Sequence, residues 1–177
     1  PHFAQKDWQK QFFYMPQHPY IFHETLRDNI TFYAPQASDA AVTAAIEQAG
    51  LQSLVATLPD GLDTVMGESG RQVSGGQAQR IALARMLLDE QRHVLLFDEP
   101  TAHLDIETEY ELKQTIAPIL ANHLVFFATH RLHWLDQMDY VLVMRDGQIV
   151  EQGEPAVLLA DSQSALNHLR SELRGGQ

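Results

Sequence analysis

The chain has 177 residues, of which 45% are hydrophobic and 20% are charged, as in an ordinary globular domain. Its formal net charge of −11 argues against a surface that binds nucleic acid, because such surfaces carry clustered lysine and arginine. The absence of cysteine excludes disulfides and thiolate metal sites. No apolar run reaches the ~18 residues of a transmembrane helix. The start has neither an initiator methionine nor a signal-peptide pattern, and we expect it to be a cut inside a longer chain.

The predicted strands and helices alternate along the chain. Strands are predicted over residues 11–15, 93–97, 124–128, 140–144 and 148–151. Helices are predicted over residues 38–49, 51–58, 74–88, 106–120, 132–137, 155–160 and 162–173. The runs 93–97 and 124–128 do not alternate between apolar and polar residues, so we expect both strands to be buried on both faces. This order predicts an α/β domain with a largely parallel sheet.

The stretch from residue 34 to residue 88 carries no strand pattern, which predicts a helical subdomain set into the sheet. Its last part, residues 73–77, predicts a helix start, because Ser74 and Gln77 fit the S-x-x-Q capping box. That pattern alone fits a plain helix cap as well as a binding site. The pair Gly75 and Gly76 favours a binding site, because glycine weakens a first helical turn unless a ligand approaches the backbone.

The apolar run 94–97 ends in two carboxylates, Asp98 and Glu99. Such a pair at a strand end suits Mg²⁺ and a reacting water, although an isolated pair is more often a strand that ends in solvent. Asp105 fits the cap of the helix that follows, with or without a second role toward a partner. His130 and His133 have the spacing of a metal pair, but the sequence offers no cysteine and no third ligand nearby, so a metal site there is disfavoured.

Five segments resemble the motifs of ATP-binding-cassette (ABC) ATPases and occur in that family's order. Residues 73–77 resemble the signature motif, residues 94–99 the Walker B strand, residues 102–105 the D-loop, residues 129–131 the switch-histidine segment, and Gln17 the Q-loop glutamine. Each motif alone would be weak, but together they span nearly the whole chain. The chain is therefore identified as a member of this family.

Three further segments resemble the exporter branch of the family. Residues 25–30 (Thr-Leu-Arg-Asp-Asn-Ile) follow Gln17 as they do in exporters, and residues 58–64 and 67–70 are similar to the exporter X-loop region. The variant Gly-Gln-Ala-Gln-Arg at residues 76–80 resembles one subunit of the heterodimeric cysteine/glutathione exporters needed for cytochrome bd assembly.

The resemblance implies a P-loop NTPase (RecA-like) core with a helical ABC subdomain, and the core is expected to be incomplete. We expect residues 1–33 to be a remnant of the core with the Q-loop, and residues 34–90 to be the helical subdomain. Residues 91–160 are expected to continue the core, and residues 161–177 to form a C-terminal helical tail. The family's P-loop needs a glycine followed by lysine. These 177 residues contain no such pair, so we expect the chain alone not to hydrolyse ATP.

The resemblance also implies a role for each site residue, with ATP and Mg²⁺ as cofactors. Asp98 would hold Mg²⁺, Glu99 would act on the attacking water, and His130 would bond the γ-phosphate. Gln17 would touch the Mg²⁺ or the water. The residues that would contact ATP held by the opposite subunit are Ser74, Gly75, Gly76, Gln77 and Asp105.

The partners implied are a second ABC ATPase domain, in a homo- or heterodimer, and a transmembrane domain of the same chain, at the cytoplasmic face of a bacterial inner or plasma membrane. Two alternatives stay open. One is a non-catalytic module that completes a partner's ATP site, and the other is a soluble ABC ATPase of DNA repair or translation. Because an open sheet edge and uncovered apolar faces are expected, we also expect the chain alone either to self-associate or to be shifted from the family's packing.

Overall fold

The structure is a computed structural model that describes residues 9–67, 70–89 and 92–175. Its contacts divide the chain into two compact units, Pro1–Thr129 and His130–Gln177, and each unit is described here by itself. Glu68 and Ser69 of the expected X-loop lie outside the described residues. No helix within the described ranges is long and apolar enough to cross a membrane.

The first unit contains a parallel three-stranded sheet and the longest helices. The strands are β1 (Phe12–Met15), β2 (Val94–Asp98) and β3 (Leu124–Ala128), in the order β1-β2-β3. The helices are α1 (Leu26–Ile30), α2 (Asp39–Gln48), α3 (Gln52–Thr57), α4 (Gly75–Leu88) and α5 (Ile106–Leu120), with a 3₁₀ turn at Gly61–Asp63. The described part of residues 34–88 contains helices joined by turns and loops, with isolated bridges and no strand.

The sheet is covered mainly on one face. Phe13 and Met15 of β1 share this face with Leu95 and Phe97 of β2, and all four side chains are buried. On the opposite face Tyr14 is 55% exposed and Phe126 of β3 is 53% exposed. The prediction that residues 93–97 and 124–128 are buried on both faces is therefore wrong. The strand β2 alternates between buried and half-buried residues, and β3 lies at the edge of the described sheet with one open face.

Local caps set the helix ends where the sequence places them. Ser38 accepts a hydrogen bond from the backbone N–H of Ala41 and begins α2, and Gly50 follows that helix with φ +68°. Ser74 and Gln77 form both bonds of the capping box at α4, as predicted. The helix α5 begins after Asp105 and tolerates Pro118 in its interior.

A buried polar cluster fixes the last turn of α4. The guanidinium of Arg85 donates to the carbonyl oxygen of Tyr20 at 2.8 Å and to the side-chain oxygen of Asn29 at 2.8 Å. The amide nitrogen of Asn29 donates in turn to the carbonyl oxygen of Phe22, whose ring lies 5.2 Å from the guanidinium carbon. Burial lowers the pKa of Arg85 to about 10. This cluster explains the buried Asn29 of the segment 25–30 as a structural residue.

The second unit contains a 3₁₀ helix and an antiparallel hairpin followed by helices. Its elements are the 3₁₀ helix Leu132–Gln137, β4 (Val141–Arg145), β5 (Gln148–Gly153), α6 (Pro155–Ala160) and α7 (Ala165–Gly175). The hairpin turn holds Asp146 at φ +50° and Gly147 at φ +75°, the left-handed pair that the Asp-Gly sequence predicts. The carboxylate of Glu151 accepts bonds from the first two backbone N–H groups of α7.

Candidate functional site

The carboxyl ends of the three parallel strands bring three predicted site residues, Gln17, Asp98 and Glu99, to one edge of the sheet. Gln17 follows β1, Asp98 is the last residue of β2, Glu99 comes directly after it, and Thr129 follows β3. The hydroxyl of Thr129 donates to Glu99 Oε2 at 3.2 Å. This edge is the place where open α/β sheets bind their ligands.

Asp98 is bonded to a neighbour that the sequence patterns did not identify. The phenol of Tyr14 on β1 donates to Asp98 Oδ2 at 2.9 Å. This hydrogen bond, together with partial desolvation and the carboxylate's negative charge, raises the pKa of Tyr14 above its usual value of 10.0. Both groups lie on the more open side of the sheet, where the carboxylate stays accessible to a ligand.

Glu99 has a backbone conformation that is rare outside glycine. Its φ is +45°, although its N–H continues the sheet ladder by donating to the carbonyl oxygen of Ala128 at 2.9 Å. Such a conformation costs about 1–3 kcal/mol and persists where surrounding structure enforces it, often at a functional site. The strained turn aims the chain away from β2 immediately after the two carboxylates.

The N-terminus of α4 borders a cavity of about 240 Å³. Its lining comes from the loop after β1, the segment before α4, the first turn of α4 and the loop between β2 and α5. The polar and glycine residues that line it are His18, Gly67, Arg71, Gln72, Ser74, Gly75 and His103. One cation, two imidazoles, a hydroxyl and the positive end of a helix dipole favour a negatively charged ligand in this cavity.

Packing within the chain gives a second reason for the two glycines of α4. A Cβ added to Gly75 would lie 2.6 Å from His103 Nε2, and one added to Gly76 would lie 2.6 Å from the methyl carbon of Thr108. Real Cβ atoms do not approach neighbours this closely. Glycine at these positions therefore admits the segment 103–108 against α4, in addition to any ligand that approaches the backbone.

His103 joins two of the loops around the cavity. Its ring and that of His18 have centroids 4.5 Å apart with an interplanar angle of 46°. Burial, and secondarily the neighbouring His18, lowers the pKa of His103. The sequence patterns gave no signal for this pair, because the contact joins residues 85 positions apart.

Asp105 is the N-cap of α5. Its carboxylate accepts hydrogen bonds from the backbone N–H of Thr108 at 2.9 Å and from the Thr108 hydroxyl at 2.7 Å. These bonds lower the pKa of Asp105 below its usual value. The capping prediction is confirmed, and a role of Asp105 toward a partner stays a prediction.

His130 begins the second unit, and its role at the γ-phosphate stays a prediction. Among the described residues, no group of three or more histidine, cysteine, aspartate or glutamate side chains could hold a metal ion. Any Mg²⁺ site here would thus combine one or two carboxylates with ligand oxygens, which is the usual arrangement for that ion beside phosphates.

Comparison with known proteins defines the class of this protein. The model of the family described as "ABC transporter" matches residues 2–102, and the chain belongs to that family. The chain is also similar to a solved structure, that of a bacterial Atm1-family ABC exporter with ATP bound. The TM-score is 0.81 at 32% sequence identity, over 94% of this chain and 29% of that one. The predicted α/β fold with a mostly parallel sheet is confirmed.

Two curated relatives carry the same name, "Glutathione/L-cysteine transport system ATP-binding/permease protein CydC". The Bacillus subtilis (strain 168) protein is 54% identical over 158 residues, which cover 89% of this chain and 28% of the relative. The Escherichia coli (strain K12) protein is 42% identical over 146 residues, which cover 82% of this chain and 25% of the relative. The chain thus spans about a quarter of the length of these relatives.

Proposed function

We propose that this chain is the ATP-binding part of an ABC exporter subunit, and that the whole protein hydrolyses ATP to drive transport across a membrane. The observation that carries the proposal is the edge of the sheet, where Gln17, Asp98 and Glu99 follow neighbouring parallel strands. Two adjacent carboxylates and a nearby glutamine are a donor set that fits Mg²⁺ and a water beside phosphate oxygens. Bound Mg-ATP supplies the phosphoryl group and a cation that neutralises its charge.

Each site residue then has its own role in hydrolysis. Asp98 holds the cation directly or through water, with Tyr14 fixing the orientation of its carboxylate. Glu99 takes a proton from the attacking water or orients it, and the hydroxyl of Thr129 holds the Glu99 side chain in place. Gln17 orients the same water or touches the cation, and His130 bonds the γ-phosphate.

In a dimer of two ATPase domains, the cavity at α4 binds the ATP held by the opposite subunit. Gly75 and Gly76 present backbone N–H groups, Ser74 its hydroxyl and Gln77 its side-chain amide, at the positive end of α4, to the γ-phosphate of ATP held by the opposite subunit. Asp105 faces the same partner while capping α5. Each subunit completes the site of the other, so turnover requires the dimer.

The proposed architecture follows the sequence analysis. Residues 1–33 and 91–160 belong to the RecA-like core, residues 34–90 form the helical subdomain, and residues 161–177 form a C-terminal tail. The partner is a second ABC ATPase domain, in a homo- or heterodimer. A transmembrane domain of the same protein anchors the chain to the cytoplasmic face of the membrane. The names of the two relatives support cysteine or glutathione as the class of transported substrate.

The test is Glu99→Gln in the full-length protein, assembled with its partner in lipid. We expect ATPase activity to fall at least about 100-fold, because the general base is lost. Binding of Mg-ATP is retained, so the nucleotide remains trapped. The matched control is Glu47→Gln, the same change at an exposed position of α2, which leaves turnover unchanged. Unchanged turnover in Glu99→Gln would show that Glu99 is not the base, and a wild-type protein without ATPase activity would refute the proposed function.

A further inference from the structure

Two backbone carbonyls leave the sheet where β1 ends. The ladder between β1 and β2 extends to the pair Met15 and Phe97, so the carbonyl groups of Pro16 and Gln17 lie beyond it. Both residues are half-buried. Shielded carbonyl groups need donors from another source, because an unpaired buried backbone group is costly.

Gln79 of α4 supplies these donors. Its side-chain nitrogen lies 2.8 Å from the carbonyl oxygen of Gln17 and 3.4 Å from that of Pro16. The Gln79 side chain is fully buried, with 0% exposure. The two carbonyls also fix the orientation of the amide, because the reverse orientation would place oxygen against oxygen.

The other half of the same amide has no donor. Gln79 Oε1 is buried and lacks a hydrogen-bond partner among the described residues. A buried acceptor without a donor is unfavourable, and an apolar side chain of similar size would avoid that cost. The bonds that Gln79 donates hold the loop that carries Gln17, and the unsatisfied acceptor offsets part of the stability that these bonds contribute.

We propose that Gln79 is a positioning residue that fixes Gln17 relative to the N-terminus of α4. Gln79 lies five residues after Ser74 on one continuous helix, so the helix that borders the cavity also holds the loop that carries Gln17. This inference rests on the proposed function, in which Gln17 serves the subunit's own ATP and Ser74 serves the ATP of the opposite subunit. Gln79 then couples the two nucleotide sites. When the ATP of the opposite subunit binds and shifts α4, Gln79 moves with the helix and carries Gln17, which serves the subunit's own ATP.

The first test is Gln79→Met in the full-length protein with its partner. Methionine keeps the volume and removes the unsatisfied acceptor, but it also leaves the Pro16 and Gln17 carbonyls without the Gln79 donor, so the variant is expected to fold with a modestly lowered thermal midpoint. We expect kcat to fall about tenfold, the equivalent of one lost hydrogen bond, while KM for ATP changes less than about twofold because Gln79 does not touch the nucleotide. The control is Gln48→Met at an exposed position of α2, which leaves both constants unchanged.

A double-mutant cycle separates positioning from a general structural effect. In a Gln17→Ala background, Gln79→Met is expected to lower kcat by less than a further factor of about two. The Gln17 side chain, which the bond to the Gln17 carbonyl would position, is absent from that background. The full tenfold loss in both backgrounds would overturn the proposal. Should Gln79→Met fail to fold, Gln79→Asn gives the same test, since its shorter amide cannot reach the Gln17 carbonyl.

Hydrogen–deuterium exchange tests the link without turnover. The backbone amides of Gln17, His18 and Tyr20 are expected to exchange faster in Gln79→Met than in wild type, and to be unchanged in Gln48→Met. Unchanged exchange in Gln79→Met would overturn the proposal even if ATPase activity were present. Faster exchange in a protein without ATPase activity would keep the link and refute the proposed function.

Discussion

The two ends of α4 are built in opposite ways. At its last turn Arg85 is buried and bonded to Asn29 and to the backbone of Tyr20. At its first turn Ser74 is exposed and Gly75 borders an open cavity. One helix therefore joins a buried polar cluster at its last turn to an exposed first turn at the edge of a cavity.

This difference shows what each end contributes. The buried end holds the helix in place through charge-assisted hydrogen bonds in a region of low dielectric. The open end can then present N–H groups to an anion without first having to be ordered, which lowers the cost of binding. Changes at the last turn should mainly lower the free energy of unfolding, whereas changes at the first turn should mainly lower ATPase activity.

The largest effect is expected at the buried end. Arg85→Met leaves Asn29 and the Tyr20 carbonyl without their donors, so we expect the free energy of unfolding to fall by about 3 kcal/mol. Chemical denaturation measures this loss. The control is Arg27→Met, which breaks an ion pair with the exposed Asp39 and should cost less than about 1 kcal/mol. Equal losses in the two variants would mean that the buried cluster does not hold α4.

A smaller effect, on activity, is expected from Gly75→Ala. The added methyl group meets His103 and narrows the approach to the backbone N–H groups, so ATPase activity of the full-length protein should fall at least about tenfold. Adding His103→Ala removes the clash but leaves the methyl group in the ligand's path. We therefore expect no recovery in the double variant, and full recovery would show that Gly75 serves packing alone.

Two serine caps sharpen the comparison further. Ser74→Ala and Ser38→Ala each remove a side-chain cap and should each lower the free energy of unfolding by about 1 kcal/mol. Only Ser74 borders the cavity, so only Ser74→Ala should also reduce ATPase activity. Paired measurements of denaturation and turnover check this. If both variants kept full activity, the Ser74 hydroxyl would be a cap and nothing more.

The smallest effect concerns the bond between Tyr14 and Asp98 at high pH. The folded-state pKa of Tyr14 is raised above 10.0, so its contribution to stability is complete below that pH and is lost as the pH rises through the folded-state pKa. We expect wild type to lose more stability than Tyr14→Phe on alkaline titration. Parallel unfolding curves for the two proteins above pH 10.0 would contradict the raised pKa.

The parts of the fold that depend on neighbouring residues could be predicted from the sequence. The capping box of α4, the end of α2 at Gly50 and the left-handed Asp146–Gly147 turn are all set by local backbone chemistry. The exposure of β3 could not be predicted, because the apolar run 124–128 shows composition but not which faces are covered.

The candidate site divides in the same way. Asp98, Glu99 and Gln17 could be located because each follows a predicted strand of a parallel sheet. Tyr14, His103 and Gln79 could not, because each acts through a contact with a residue that is distant in sequence. Their partners lie 84, 85 and 62 positions away, respectively, and only the folded chain brings them together.

Glu99 has a left-handed backbone, and under the proposed function this one residue would oppose stability to activity. Glycine adopts that conformation without steric penalty, so Glu99→Gly would relieve strain at the same moment that it deletes the carboxylate. An inactivating change to glycine at this position would therefore cost little stability, and a duplicated copy of the domain could lose hydrolysis while keeping its fold. Selection on turnover, and not on folding, is what would keep glutamate there.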